Sequence, residues 1–162
     1  MNDVVYADDC LETSLVNDLR ELVKVAAAIE DFCRARKIAA QTAYAVNLAI
    51  DEVLTHIISN GYGDGDSHRI EIIIRKEGET LVLAIVDDSE VADVGQAKGS
   101  ALNGKSELEQ ALGDLGLFLV HQMMDSVDHR RMHGCNVTII TKALGAPEEA
   151  AAEKENGAGP GD

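Results

Sequence analysis

The spacing of apolar residues predicts two amphipathic helices within the first 60 residues. Apolar side chains recur at steps of three and four from about Leu11, which places them on one face of a helix. Thr13 or Ser14 is expected to cap its start, because either hydroxyl can accept a hydrogen bond from a backbone N–H. A second helical stretch covers residues 40–60, and the glycine and aspartate cluster at 61–66 is expected to end it. The stripe of the first helix comprises Leu15, Leu19, Leu22, Val23, Ala26, Ile29 and Phe32.

Runs of isoleucine, valine and leucine further along the chain predict two β-hairpins. The short polar segment 76–79 joins the strands of the first hairpin, and His133-Gly134 joins those of the second. A short apolar start to the chain adds an edge strand. The predicted strands are 4–6, 69–75, 80–87, 126–132 and 135–142.

The segments between these elements complete the predicted architecture. Residues 88–111 are polar, contain glycine and lack a clear period, which is typical of a long functional loop such as a lid. A third helix is expected at 115–124. The elements together predict an α/β two-layer sandwich, in which helices cover one face of a mixed, mostly antiparallel sheet. One domain is expected at 1–144, followed by a disordered tail at 145–162 that has no large apolar residue.

Composition narrows the classes of function. The chain carries 14 Lys and Arg against 29 Asp and Glu, a net charge of −15 at pH 7. This charge argues against nonspecific binding to nucleic acid or to an anionic membrane surface. No apolar run approaches the ~20 residues of a membrane span. The three separated cysteines, Cys10, Cys33 and Cys135, suit a reducing environment, so a cytoplasmic location is expected.

Three separated segments together resemble a known family. Residues 51–63 read DEVLTHIISNGYG on the second predicted helix and its exit, and residues 85–89 read IVDDS at the end of a predicted strand. Residues 112–120 read LGDLGLFLV at the start of the last predicted helix. Their order and spacing resemble the GHKL, or Bergerat-type, ATP-binding fold. Within that fold they are similar to the anti-sigma-factor serine kinases of the RsbW and SpoIIAB type, and the resemblance covers about residues 4–142.

Glu52 matches the glutamate that this family uses in catalysis. The resemblance implies that Glu52 polarises the hydroxyl of a protein serine, since a carboxylate near a γ-phosphate can accept the proton of the nucleophile. The alternative is a solvated helix carboxylate beside Asp51.

His56 takes the place of the family asparagine whose oxygen binds Mg²⁺. The resemblance therefore marks His56 as a nucleotide-binding and metal position, one helical turn from Glu52. Mg²⁺ requires oxygen ligands, whereas imidazole nitrogen suits Zn, Ni or Cu. His56 could instead bond a phosphate, or simply pair with Glu52 on the helix face. Asn60, a further turn along, is an alternative metal position.

Asp87 matches the family aspartate that accepts the adenine amino group. Ser89 stands where the family has a glycine close to the base, and it is tolerable there if the turn does not need a positive φ. Cys135 stands where many relatives carry a threonine beside the aspartate. The alternative for Asp87 and Asp88 is a solvent-exposed turn.

Gly113, Asp114 and Gly116 match the glycine-containing segment whose amides hold phosphates at a helix N-terminus. Asp114 would fill that anion site with its own carboxylate, because aspartate is a preferred N-cap. At ~4 Å from a phosphate its repulsion is about 4 kcal/mol at a surface-like dielectric. The alternative is an ordinary helix cap with no ligand.

The resemblance implies a homodimeric partner-switching regulator that uses ATP and Mg²⁺. It would phosphorylate a serine of an antagonist protein, sequester a sigma factor, or do both. The departures at His56, Ser89 and Asp114 favour a second hypothesis, a non-catalytic protein-binding module with the same fold and weak or absent ATP binding. The negative charge would favour a basic partner surface.

Overall fold

The computed structural model describes residues 4–90 and 107–145, without the side chains of 107–112 and Asp114. The chain forms three α-helices and six β-strands within those ranges, and a short 3₁₀ turn, Leu19–Glu21, precedes the first helix. The helices are α1 (Leu22–Ala35), α2 (Ala40–Asn60) and α3 (Glu107–Met123). The strands are β1 (Val5–Ala7), β2 (Cys10–Val16), β3 (Arg69–Glu77), β4 (Thr80–Asp87), β5 (Ser126–Met132) and β6 (Cys135–Ala143).

The six strands form one sheet in the order β1-β2-β3-β4-β6-β5. Every pair of neighbouring strands in this sheet is antiparallel. The expectation of an α/β two-layer sandwich is confirmed, with a sheet that is antiparallel in all its described pairings. Two pairings matter for the site. Asn136 of β6 pairs with Asp87 of β4 on one side and with Arg131 of β5 on the other.

The core lies between the helices and one face of the sheet. Alternate residues of a strand point to opposite faces, and in β4 Leu81, Leu83 and Ile85 are fully buried while Val82 and Ala84 are only half-buried. The helices contribute aliphatic side chains and Phe32 to the same core, as the low aromatic content requires. Asp87 continues the buried row of β4, so a carboxylate ends a strand whose other inward side chains are apolar.

The prediction that a helix begins near Leu11 is wrong, because residues 10–16 form β2. Leu11, Thr13 and Leu15 alternate in a two-residue period and all face the core. Leu11 and Leu15 also fit a helical step of four, so the sequence pattern was compatible with both structures. Thr13 and Ser14 therefore cap nothing.

The helical region begins instead at Asp18. The Asp18 carboxylate accepts the backbone N–H of Arg20 and pairs with its guanidinium. The Arg20 hydrogen bonds lower the pKa of Asp18 to about 2. An N-cap aspartate satisfies a backbone donor that the first helical turn leaves free.

The predicted start of the last helix is also wrong. α3 begins at Glu107 and not near residue 115. Gly113 and Gly116 are therefore the seventh and tenth residues of a helix, beyond the first four amides that a helix leaves free. Asp114 lies inside the helix and is not its cap.

The other predicted elements are confirmed. α2 spans the predicted residues 40–60, both hairpins form at the expected turns, and the short first strand is an edge strand. Of the predicted loop, residues 91–106 lie outside the described residues, as does the predicted tail from residue 146 onward. Among the helices that the structure describes, none is long and apolar enough to cross a membrane.

Leu83 in the central strand β4 tests the packing of this core. Leu83→Ala should lower the free energy of unfolding by about 2–5 kcal/mol, because it removes a fully buried side chain and leaves a cavity. Leu19→Ala is the matched control, since Leu19 is 47% exposed and should cost much less. Urea unfolding followed by circular dichroism measures both. Equal losses would contradict the described core.

Candidate functional site

Asp87 ends β4 as a buried carboxylate with its two oxygens in different surroundings. Oδ1 accepts hydrogen bonds from the Ser89 backbone N–H (3.0 Å), the Ser89 hydroxyl and the Asn136 side-chain amide (3.0 Å). Oδ2 is buried and has no hydrogen-bond partner among the residues that the structure describes. A buried unpaired acceptor is costly, and more so on a charged group. The alternative of a solvent-exposed turn at Asp87 is therefore excluded, and its Oδ2 is a candidate acceptor for a ligand.

Asn136 and Arg131 hold this arrangement from the neighbouring strands. The Asn136 amide nitrogen also donates to the backbone oxygen of Ser89, 3.0 Å away. The Asn136 side-chain oxygen accepts from the guanidinium of Arg131 at 2.9 Å, and the same nitrogen of Arg131 reaches the Ser89 carbonyl at 3.0 Å. These contacts direct the Asn136 NH₂ group toward Asp87 and Ser89.

Ser89 and Gly61 bring the end of α2 against the end of β4. Gly61 follows α2, and a Cβ built on it would overlap the Ser89 side chain and crowd the Ile57 carbonyl. The backbone N–H of Glu90 donates to the Gly61 carbonyl at 3.0 Å. The lack of a side chain at Gly61 is what allows this close approach, so the two candidate segments meet through one glycine and one serine.

Glu52 lies on α2, and its side chain packs against Gly116 of α3. A Cβ built on Gly116 would overlap the Glu52 carboxylate, so only glycine permits this contact with Glu52 as placed. Burial raises the pKa of Glu52, and the neighbouring charge of Asp51 adds to the effect. Gly113 is exposed and has open space around it, so it makes no comparable contact.

His56 and Asn60 contact each other on α2. The Asn60 side-chain nitrogen lies 3.2 Å from His56 Nδ1 and donates to the His56 carbonyl at 2.9 Å. Among the side chains that the structure describes, no group of three or more His, Cys, Asp or Glu is placed to hold a metal ion.

His68 joins the segment after α2 to the segment after β4. Its Nε2 lies 2.8 Å from Asp64 and its Nδ1 lies 3.0 Å from Asp88, while its ring stacks on Tyr62 with centroids 4.5 Å apart. The hydrogen bonds to Asp88 and Asp64 raise the pKa of His68. Burial raises the pKa of Tyr62, with further contributions from the charges of Asp87 and Asp88, so the phenol keeps its proton at neutral pH.

The sequence pattern missed Asn136, Arg131 and His68. Cys135 was expected beside Asp87, but the residue paired with Asp87 across the strands is Asn136. Pairing the two predicted strands by their inward-facing residues could have identified Asn136. His68 carried no signal, because its two carboxylate partners are brought together only by the fold.

A separate cavity of about 690 Å³ lies between α1 and α2. Its lining includes Cys33, Ile38, Tyr44 and Asp51, but neither Glu52 nor Asp87. Asp51 and Glu52 therefore face different surroundings although they are neighbours in sequence.

Comparisons with known proteins agree with this architecture. A family model described as a histidine kinase-like ATPase domain matches residues 15–142. A crystal structure of the RsbU and RsbW domains of a Mycobacterium tuberculosis protein is similar, with a TM-score of 0.57 and 14% sequence identity. The match covers 83% of this chain and 32% of that one, and an identity this low supports the fold alone. No curated protein matches the chain.

His68→Gln tests the bridge between the two segments. The pKa of folded His68 is raised above its usual 6.5, so its contribution to stability is present in full below pH 6.5 and is lost as pH rises through the folded value. Asp64, whose pKa is lowered from 3.8, keeps its charge through the acidic part of this range. Thermal unfolding across pH 5 to 9 should therefore show a loss in the variant that is largest near pH 5.

His121→Gln provides the control, because His121 is exposed on α3. A loss in His68→Gln that is the same at every pH would contradict a charged bridge.

Proposed function

Because the chain belongs to the histidine kinase-like ATPase domain family, we propose that it binds an adenine nucleotide and acts as a partner-switching regulator. Glu52 serves in this proposal as the base that accepts the proton of a serine hydroxyl on an antagonist protein, with ATP as phosphoryl donor. Sequestration of a sigma factor is the second part of the same proposal. The similar crystal structure contains an RsbW domain, which supports this class of regulator.

The observation that carries the proposal is the unpaired Oδ2 of Asp87. A buried carboxylate oxygen suits an N–H donor, and the amino group of adenine provides one. Asp87 Oδ2 is buried in the described conformation, so the base must displace whatever covers it. The residues present therefore fit the adenine end of ATP, with Asp87 binding and orienting the base.

The residues present fit the phosphates and metal ion of ATP less well than they fit its adenine. The proposal assigns no step to Mg²⁺, because His56 offers an imidazole nitrogen at the position where the resemblance places an oxygen ligand. The amides of Gly113 and Gly116 belong to the interior of α3, so they are not free to hold phosphates in this arrangement. A rearrangement of α3 would be needed before those amides could bind an anion.

The contact between Glu52 and Gly116 favours a second candidate, a non-catalytic binding module of the same fold. Glu52 must reach a serine hydroxyl within hydrogen-bonding distance to act as a base, yet the backbone of α3 lies against its carboxylate. Its raised pKa suits a base, so access to Glu52 distinguishes the two candidates. Phosphorylation of a protein serine requires either the Glu52 side chain or α3 to move, whereas a binding module requires neither movement.

Partners follow from the same proposal. The net charge of −15 favours a partner with a basic surface, which would steer association through opposite charges. An antagonist protein, a sigma factor and a second copy of the chain are the proposed partners. A cytoplasmic location is part of this proposal.

Asp87→Asn tests the nucleotide site. The asparagine oxygen would take the place of Oδ1, which faces three donors, and its NH₂ would replace Oδ2 and oppose the adenine amino group. ADP affinity should fall roughly 10- to 100-fold, the loss expected for one hydrogen bond to a charged group. Calorimetric titration measures it.

Asp128→Asn removes an exposed carboxylate on the opposite face of the sheet and should leave ADP binding unchanged. Unaltered affinity in Asp87→Asn would exclude Asp87 as the base-binding residue.

His56→Asn tests the metal position. An amide oxygen is a suitable Mg²⁺ ligand and an imidazole nitrogen is not, so Mg²⁺ should increase ATP affinity more in the variant than in the parent. Titrations with ATP, with and without Mg²⁺, give the comparison. The same Mg²⁺ dependence in both proteins would show that residue 56 does not contact the metal.

A further inference from the structure

We propose that His68 is a positioning residue of the nucleotide site, and that the site binds a nucleotide more tightly when this side chain carries both of its ring protons. The inference rests on the proposed nucleotide binding and adds a dependence on pH to it. His68 lies outside the site itself, in the segment between α2 and β3. Its effect reaches the site through Asp88, the residue after Asp87.

The backbone of His68 is fixed to the end of β2 by Asn17. The backbone N–H of His68 donates to the Asn17 side-chain oxygen at 2.9 Å, and the backbone N–H of Asn17 donates to the His68 carbonyl at 3.0 Å. The Asn17 side-chain nitrogen also donates to the carbonyl of Asp66 at 3.1 Å. The imidazole is therefore attached to the sheet, and it holds its own partners in place relative to the sheet.

Both ring nitrogens of His68 face a carboxylate. Nε2 lies 2.8 Å from Asp64 Oδ2, and Nδ1 lies 3.0 Å from Asp88 Oδ2. An ionised carboxylate only accepts hydrogen bonds, and a neutral imidazole has one N–H donor whereas the imidazolium has two. The two contacts therefore form together only when the ring carries both protons. The hydrogen bonds to Asp88 and Asp64 raise the pKa of His68 accordingly.

The groups that face the ring come from two segments of the chain. Asp64 and Tyr62 belong to the segment after α2, and Asp88 belongs to the turn after β4. The Tyr62 phenol keeps its proton at neutral pH, because burial raises its pKa, and Asn17 presents no titratable group. Loss of one ring proton therefore leaves one carboxylate facing an acceptor nitrogen, and this contact is repulsive.

The turn that contains Asp88 also carries hydrogen-bond donors of the proposed site. Asp88 lies between Asp87 and Ser89, and Ser89 donates two hydrogen bonds to Asp87 Oδ1. The same turn meets the end of α2, where the Glu90 N–H donates to the Gly61 carbonyl. The doubly protonated imidazole holds this turn in place and offsets negative charge beside an anionic ligand, and both effects favour nucleotide binding.

Calorimetric titration of the full chain with ADP between pH 6 and pH 9 tests the inference. The affinity of the parent should fall roughly fivefold more across this range than that of His68→Gln, since glutamine has no proton to lose. The ADP phosphates titrate for every variant alike, so the difference between the two profiles isolates residue 68. His121→Gln is the matched control and should keep the parent's profile, because His121 is exposed on α3.

Asp88→Asn separates the effect of the proton from the effect of the contact. The asparagine NH₂ group can donate to an unprotonated Nδ1 while the Nε2 proton stays on Asp64, so the bridge survives without the second proton. This variant should lose the additional fall in affinity at high pH and should bind ADP there at least as tightly as the parent. Weak binding of ADP by Asp88→Asn at every pH would contradict the inference.

The coupling can also be measured in reverse, because linkage between two sites is reciprocal. The pKa of His68, followed by NMR of its ring protons and assigned by the loss of its signal in His68→Gln, should rise when ADP is bound. An unchanged pKa, or equal profiles for the parent and His68→Gln, would overturn the inference and leave nucleotide binding intact. No binding of ADP by the parent at any pH would overturn the proposed function together with the inference.

Discussion

The saturation of one oxygen of a buried carboxylate is the constraint on which the rest of the site depends. Asp87 lies at the end of a core-facing row of β4, where an uncompensated charge would be strongly unfavourable. The donors of Ser89 and Asn136 compensate Oδ1, and in doing so they tie β4 to β6. Oδ2 receives no such hydrogen bond from the described residues. The same contacts that stabilise the charge thus define where a ligand donor can bind.

Much of the fold could be predicted from the sequence, because long elements carry strong patterns. α2 and the two hairpins combine clear periods with clear turn residues, and their predicted positions are confirmed. β2 was mistaken for a helix because Leu11 and Leu15 satisfy both a two-residue and a four-residue period, and only pairing with β1 and β3 decides between them. The start of α3 was predicted too late, because the residues before 115 carry no sequence signal that fixes where the helix begins.

The residues of the candidate site that could be predicted are likewise those whose signal is local in the sequence. Glu52, Asp87 and Gly116 could be identified from local motifs, and the structure places Gly116 on Glu52 and Asp87 beside Ser89. Asn136, Arg131 and His68 each have at least one partner that is 20 to 49 residues away in the sequence. Their roles depend on strand register and on the meeting of two loops, which a pattern along the chain does not encode.

Oδ2 of Asp87 is the atom at which adenine binding can be tested most directly. A crystal structure of the chain with bound ADP would measure the distance from this atom to the adenine amino nitrogen. The account predicts a separation of about 3 Å, with Oδ1 still held by Ser89 and Asn136. An adenine bound elsewhere, or one whose amino group contacts Oδ1 after these donors have left, would contradict it.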